Sequence, residues 1–201
     1  GRTDIRRWAY AISKIFGESL GFAYREAHRV PFVSLRLFGM YGPREILDWR
    51  GGPQSVFIDA ALRGEPLIVH GDGRQTRSFT FVDDAVDGVI RALESPRAEG
   101  QVFNIGHDRE IAIRDLARLV IRLCREGVGA ATPSAGRPSS PPRIRFISHE
   151  KLFGKFEEIA RRVPDCRKAR RVLGWRARVG LEEGLRRTIA WHRSVARRSR
   201  G

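Results

Sequence analysis

Apolar and small residues recur every three or four positions from about residue 8 to 28, through Phe16, Leu20, Phe22, Ala23 and Ala27, and predict an amphipathic helix. Tyr10 and Lys14 stand four residues apart on it and share a face. The period then changes. Residues 31–38 are a short apolar run with β-branched and aromatic content, bounded by Pro31 and Gly39, and read as a buried strand. Turn-forming residues 39–44 follow, and 45–53, with Trp49 and a Gly51-Gly52-Pro53 break, read as a loop with room to fold over a ligand. A helix over 54–63 is stopped by Gly64, and a strand over 67–70 runs into the turn Gly71-Asp72-Gly73. After a partly extended stretch, Asp83-Asp84 are the expected N-cap of a helix reaching about Leu93, with Val86, Val89, Ile90 and Leu93 on one side. Further periodicity gives a strand over 101–105, a helix over 113–125 and a flexible Gly/Ala/Ser/Thr/Pro linker over about 127–142. A strand over 143–147, helices over 165–173 and 181 to about 196, and a frayed basic tail over 197–201 complete the chain.

At 201 residues and 41% hydrophobic content the chain can bury a sizeable core or two small ones. No apolar run has the length to span a bilayer, and no signal-peptide pattern is present, so no membrane partner and a cytoplasmic setting are expected. Cys124 and Cys166, in helical-looking segments without metal-ligand spacing, favour reduced thiols. The five histidines are scattered, and no metal site is assembled from them. The net charge of +15 invites a nucleic-acid reading. Its arginines, however, are spread along the chain among apolar residues at helical spacing, as on solvated helix faces, and no nucleic-acid partner is expected.

Tyr10 and Lys14 carry the candidate chemistry. An ammonium near a phenol favours the phenolate, and such a tyrosine can exchange a proton with a substrate hydroxyl. The pentapeptide alone is weak evidence, but further segments accompany it in order. They are Arg36-Leu37-Phe38-Gly39-Met40-Tyr41-Gly42-Pro43-Arg44, Gly71-Asp72-Gly73-Arg74-Gln75-Thr76-Arg77-Ser78-Phe79, Val82-Asp83-Asp84, Phe103-Asn104-Ile105-Gly106, Arg162-Val163-Pro164-Asp165 and Leu173-Gly174-Trp175. In this series the chain resembles the extended short-chain dehydrogenase/reductase family, specifically its NAD-dependent nucleotide-sugar epimerases and dehydratases, over nearly its whole length.

The resemblance implies an α/β fold: the C-terminal part of a Rossmann-type doubly wound parallel sheet with a smaller mixed α/β substrate domain. Residues 1–38 and 78–106 would belong to the NAD-binding domain, and 39–77 and 107–201 to the substrate domain. Tyr10 looks like the general acid/base and Lys14 like the residue that bonds the nicotinamide ribose, with Leu37 and Phe38 meeting the nicotinamide end of the cofactor. Arg77 and Arg162 match the arginines that hold the substrate diphosphate, a role suited to a planar fork of donors, and Asp165 follows the second. Gln54 and His70 fall near positions that approach the nucleobase, and Gly39 stands where many relatives carry a substrate-contacting Asn. No Gly-x-x-Gly-x-x-Gly turn is present, so the pyrophosphate-binding half of the dinucleotide fold is expected to lie outside this chain.

The resulting expectation is the C-terminal portion of a nucleotide-sugar enzyme working through a transient 4-keto sugar, homodimeric when whole and inactive as this piece. A 4-epimerase leads, with a 4,6-dehydratase or a uronate decarboxylase as alternatives. A basic protein binding nucleic acid or an acidic partner is the reading from another class.

Overall fold

The computed structural model describes residues 4–5, 8–126, 142–148 and 158–198. Helix α1 (Trp8–His28) leads into strand β1 (Ser34–Leu37), which pairs in parallel with β6 (Val102–Ile105) from Ser34 opposite Val102 to Leu37 opposite Ile105. The helix runs back along this pair. Glu18 accepts bonds from Ser34 and Arg36, and Arg25, further along the helix, meets Glu99 just before β6. Tyr10 lies eight residues before Glu18, about 12 Å along the axis, and so stands towards the carboxyl end of β1.

Three more pairings follow. The two-residue strands β2 (Met40–Tyr41) and β5 (Thr80–Phe81) pair in parallel, as do β3 (Leu67–His70) and β8 (Ile144–Ile147). Strand β4 (Thr76–Ser78) sits between antiparallel β7 (Glu110–Ala112) and parallel β9 (Arg161–Arg162). Helix α2 (Pro53–Arg63) ends where Gly64 takes φ 74°, a left-handed cap closed by the Glu65 amide on the Ala60 carbonyl. It packs on α4 (Ile113–Glu126), whose Ile113, Leu116, Ala117, Val120 and Leu123 are buried at three-to-four spacing.

Buried apolar residues form two clusters. One joins Phe57, Ile58, Leu67, Phe81 and Leu116 to Leu185 and Ile189 of α6 (Leu181–Arg198). The other joins Phe103 and Ile105 to Ala169 and Leu173 of α5 (Arg167–Leu173) and to Trp175. Asp84 bridges the two regions. Its carbonyl accepts from the Trp175 indole at 2.9 Å, and its carboxylate accepts the amides of Arg178 and Val179.

Several expectations are corrected. Strand β1 is half exposed, with Arg36 and Leu37 open to solvent, and among the described residues it pairs with β6 alone. Met40 and Tyr41 form a strand instead of a turn. Helix α3 (Val82–Glu94) is capped by extended Phe81, so Asp83 and Asp84 lie in its first turn, where their charge suits the helix dipole. Its buried side is Asp84, Ala85, Gly88 and Ala92, while Val86, Ile90 and Leu93 are exposed. A Cβ on Gly88 would come within 3.0 Å of Ile105 and 3.1 Å of Trp175, so only a small-residue face can approach β6 so closely. Cys166 precedes α5 instead of lying within it, and α6 reaches Arg198. The linker, apart from Pro142, lies outside the described residues, as does 199–201. Among the described residues no helix is long and apolar enough to cross a membrane, and no metal-holding cluster occurs.

Candidate functional site

Tyr10 and Lys14 lie one turn apart at the start of α1, with the Lys14 ammonium 5.2 Å from the centre of the Tyr10 ring. Tyr10 is 71% exposed, so its phenol is open to a ligand. The helix is held at its middle by Glu18. The Arg36 guanidinium lowers the Glu18 carboxyl below its ordinary range, and Glu18 raises Arg36 in turn.

At the carboxyl end of β1 the backbone is fixed by Thr80. Its hydroxyl donates to the Phe38 carbonyl at 2.8 Å and accepts the His107 amide at 2.9 Å, while its own amide bonds to the Gly39 carbonyl. Leu37, Phe38 and Gly39 are therefore tied to the exit of β6. Gly39 has φ 51°, and a Cβ there would sit 2.3 Å from the Ser78 carbonyl oxygen. A side chain at this position would therefore have to push the Ser78 backbone away. Tyr10, Lys14 and this strand exit thus stand towards the carboxyl ends of parallel strands, where open α/β sheets hold their ligands.

Arg77 and Arg162 are register partners on β4 and β9. Arg77 is 8% exposed, and its guanidinium is engaged by Glu158 and by the carbonyls of Thr76 and Ile159 at 2.7 and 2.8 Å. Arg162 is exposed beside it. An anion reaching Arg77 would take the place of Glu158, a residue 81 positions away for which the sequence carries no local signal.

The remaining candidates are held by partners of their own. Asp165 is exposed, and the Arg167 guanidinium and amide hold its carboxyl down to about 2. Its carbonyl accepts the Asn104 amide at 3.0 Å, fastening α5 to β6. Gln54 is buried at the start of α2 and donates to Glu45 at 2.8 Å and to the Gly51 carbonyl at 2.6 Å. His70 ends β3, and its carbonyl accepts from Gln75.

The family model described as GDP-mannose 4,6 dehydratase matches residues 5–188. A UDP-N-acetyl-alpha-D-glucosaminuronate decarboxylase from Bacillus cytotoxicus is 35% identical over 97% of the chain and 56% of its own length. A UDP-glucuronic acid 4-epimerase from Bacillus cereus, solved with UDP-glucuronic acid and NAD, superposes with TM-score 0.75 at 28% identity, covering 92% of this chain and 52% of that one. The chain spans about half the length of these two relatives. It belongs to the GDP-mannose 4,6-dehydratase family, among the nucleotide-sugar epimerases, dehydratases and decarboxylases of the extended short-chain dehydrogenase/reductases.

Proposed function

We propose that this chain contributes the proton-exchanging tyrosine and the substrate-holding side of an enzyme that oxidises a nucleoside-diphosphate sugar transiently at C4, with 4-epimerisation as the outcome. The observation that carries the reading is the Tyr10–Lys14 pair, exposed on the helix whose amino end lies towards the carboxyl end of β1. Bound NAD supplies the acceptor and donor of hydride. Tyr10 Oη, as the phenolate, takes the proton from the sugar hydroxyl as hydride leaves C4 and returns it when the 4-keto carbon is reduced, and the Lys14 charge offsets the phenolate's negative charge. Leu37 and Phe38 present the strand exit to the nicotinamide, with Thr80 fixing their position. Arg162, with Arg77 once Glu158 yields, holds the diphosphate by paired N–H donors. Gln54 acts behind the nucleobase by shaping the 45–53 loop, and His70 borders it. Asp165 sets the segment that follows Arg162, and Gly39 leaves the sugar to backbone and water.

In this reading residues 1–38 and 78–106 belong to the NAD-binding domain and 39–77 and 107–201 to the substrate domain, with α5 of the latter packed on the cluster around Phe103. The exposed side of α1 faces a second subunit in a homodimer. Uronate decarboxylation is the second reading, favoured by the 35% identical relative. That relative and the solved epimerase are both named for UDP-hexuronates, which makes these the first substrates to try.

The test uses the whole natural protein with NAD, a panel of UDP-, GDP- and dTDP-sugars, and product analysis for an epimer, a decarboxylated pentose or a dehydrated 4-keto sugar. Tyr10→Phe is expected to lower turnover by about 10²–10⁴-fold while the substrate still binds. Undiminished turnover in that variant would sink the reading.

A further inference from the structure

Beyond the end of β6 the surface opens into a groove that contains none of Tyr10, Lys14, Arg77 and Arg162. One arm, about 610 Å³, is lined by apolar Phe79, Ile111, Leu119 and Leu181. The other, about 450 Å³, is lined by Arg109, Arg170, Arg176 and Arg178. His107, Arg109 and Gly180 border both arms, so the two meet there.

The charges around the groove are unevenly satisfied. Glu110 is held by Thr76 and Arg161, Glu182 by Arg122 and Arg186, and Glu183 by Arg187. Asp108 lies 3.6 Å from Arg170. Arg109, Arg176 and Arg178 pair with no carboxylate among the described residues, whereas Arg186, which lines the apolar arm, is held by Glu126 and Glu182. Their backbone is firmly seated: Trp175 and the amides of Arg178 and Val179 are bonded to Asp84, and the Arg109 amide to His107 Nδ1. Three uncompensated guanidiniums facing one concavity repel one another, and a dianion between them removes that repulsion. An apolar arm joined to a few convergent charged groups, at this volume, is the form of a small-molecule site.

We propose that this groove is a second ligand site, separate from the sugar-transforming one, for a small organic phosphate. The apolar or aromatic body lies in the arm of Phe79 and Ile111, and the phosphate lies among Arg109, Arg176 and Arg178. The inference does not depend on the role of Tyr10.

The test fills the proposed active site of the whole natural protein with saturating NAD and UDP at fixed ionic strength, then titrates 1-naphthyl phosphate by fluorescence. Inorganic pyrophosphate and 1-naphthol probe the two arms separately. One equivalent of 1-naphthyl phosphate is expected to bind, more tightly than either partial probe. The double variant Arg109→Ala/Arg176→Ala should weaken it at least tenfold with Tm unchanged, and Arg118→Ala, paired with Asp115 and lining neither arm, should leave it unaltered. The proposal is overturned by no binding, by equal binding in wild type and double variant, or by an equal loss in Arg118→Ala, which marks diffuse charge. A loss in Arg162→Ala alone also overturns it, because the probe then occupies the substrate site.

Discussion

At the scale of single residues, the loop after β2 turns on Glu45 and Gln54. Glu45 Oε1 accepts from Gln54 Nε2, while Glu45 Oε2 and Gln54 Oε1 are buried without a partner. Burial raises the Glu45 carboxyl above its ordinary value, outweighing the hydrogen bonds that lower it. A carboxyl with a higher pKa folded than unfolded holds its proton longer in the native state. Its contribution is therefore present below the ordinary glutamate range and lost as pH rises through the raised value. Glu45→Gln keeps the Oε1 acceptor and adds a permanent donor at the second position. Urea unfolding is expected to show a gain of about 1 kcal/mol at pH 8 and little change at pH 4. A variant less stable than wild type at pH 8 would refute this account. The sequence showed Gln54 as a polar residue at a helix start and gave it a ligand, but its partners come from loop closure over Gly51, which no local pattern announces. Tyr10 and Lys14 were legible because both sit on one regular helix, where spacing alone fixes their relation.

At the scale of elements, three helical glycines separate propensity from packing. Gly17 on α1 has nothing within 4 Å of a would-be Cβ, whereas one on Gly184 of α6 would lie 2.1 Å from the Tyr41 hydroxyl. Tyr41 is 2% exposed and bonded to the Leu181 carbonyl, so it has nowhere to move. Alanine in a helix interior gains about 1 kcal/mol over glycine, and overpacking costs about 1–3 kcal/mol. Gly17→Ala should therefore stabilise the chain by up to about 1 kcal/mol, and Gly184→Ala should destabilise it on balance. Gly88→Ala, at 3.0 Å from Ile105, should fall between them. Thermal melts of the three variants check the ranking, and a stabilising Gly184→Ala would show that α6 can shift. The same contrast explains what the pattern could reveal. Long helices such as α1, α4 and α6 announce themselves by repetition over several turns. Strands β2 and β9, two residues each, exist only because Thr80–Phe81 and Thr76–Arg77 lie alongside, tens of positions away. On α3 the apolar residues were easy to see, but the burying face is the small one, and that choice is made by Trp175 and Ile105.

At the scale of the whole molecule, two opposing forces act on this chain in solution. Ile12, Ile15, Phe16, Leu20 and Tyr24 of α1 and Val86, Ile90 and Leu93 of α3 are exposed, and β1 carries one unpaired edge among the described residues. Parallel sheets are ordinarily covered on both faces, and an uncovered apolar side with an open edge is a template for association. The net charge of +15 works against this by mutual repulsion. That repulsion is screened over about 10 Å at 0.1 M salt and about 3 Å at 1 M, whereas apolar association is not weakened by salt. The 201-residue chain made alone is therefore expected to be most dispersed at low salt and to associate as salt rises, seen as growing scattered light and earlier elution from a sizing column. Ile12→Lys with Phe16→Lys should move the onset to higher salt, because it removes apolar area and adds charge at one place. Binding driven by phosphate contacts of a nucleic acid weakens with salt, the opposite slope, so one titration separates the two readings of the charge. A monodisperse chain with one sharp melting transition at 0.5 M salt would mean that α1 and α3 find cover within this chain, and the placing of their apolar sides against a further subunit or segment would have to be withdrawn.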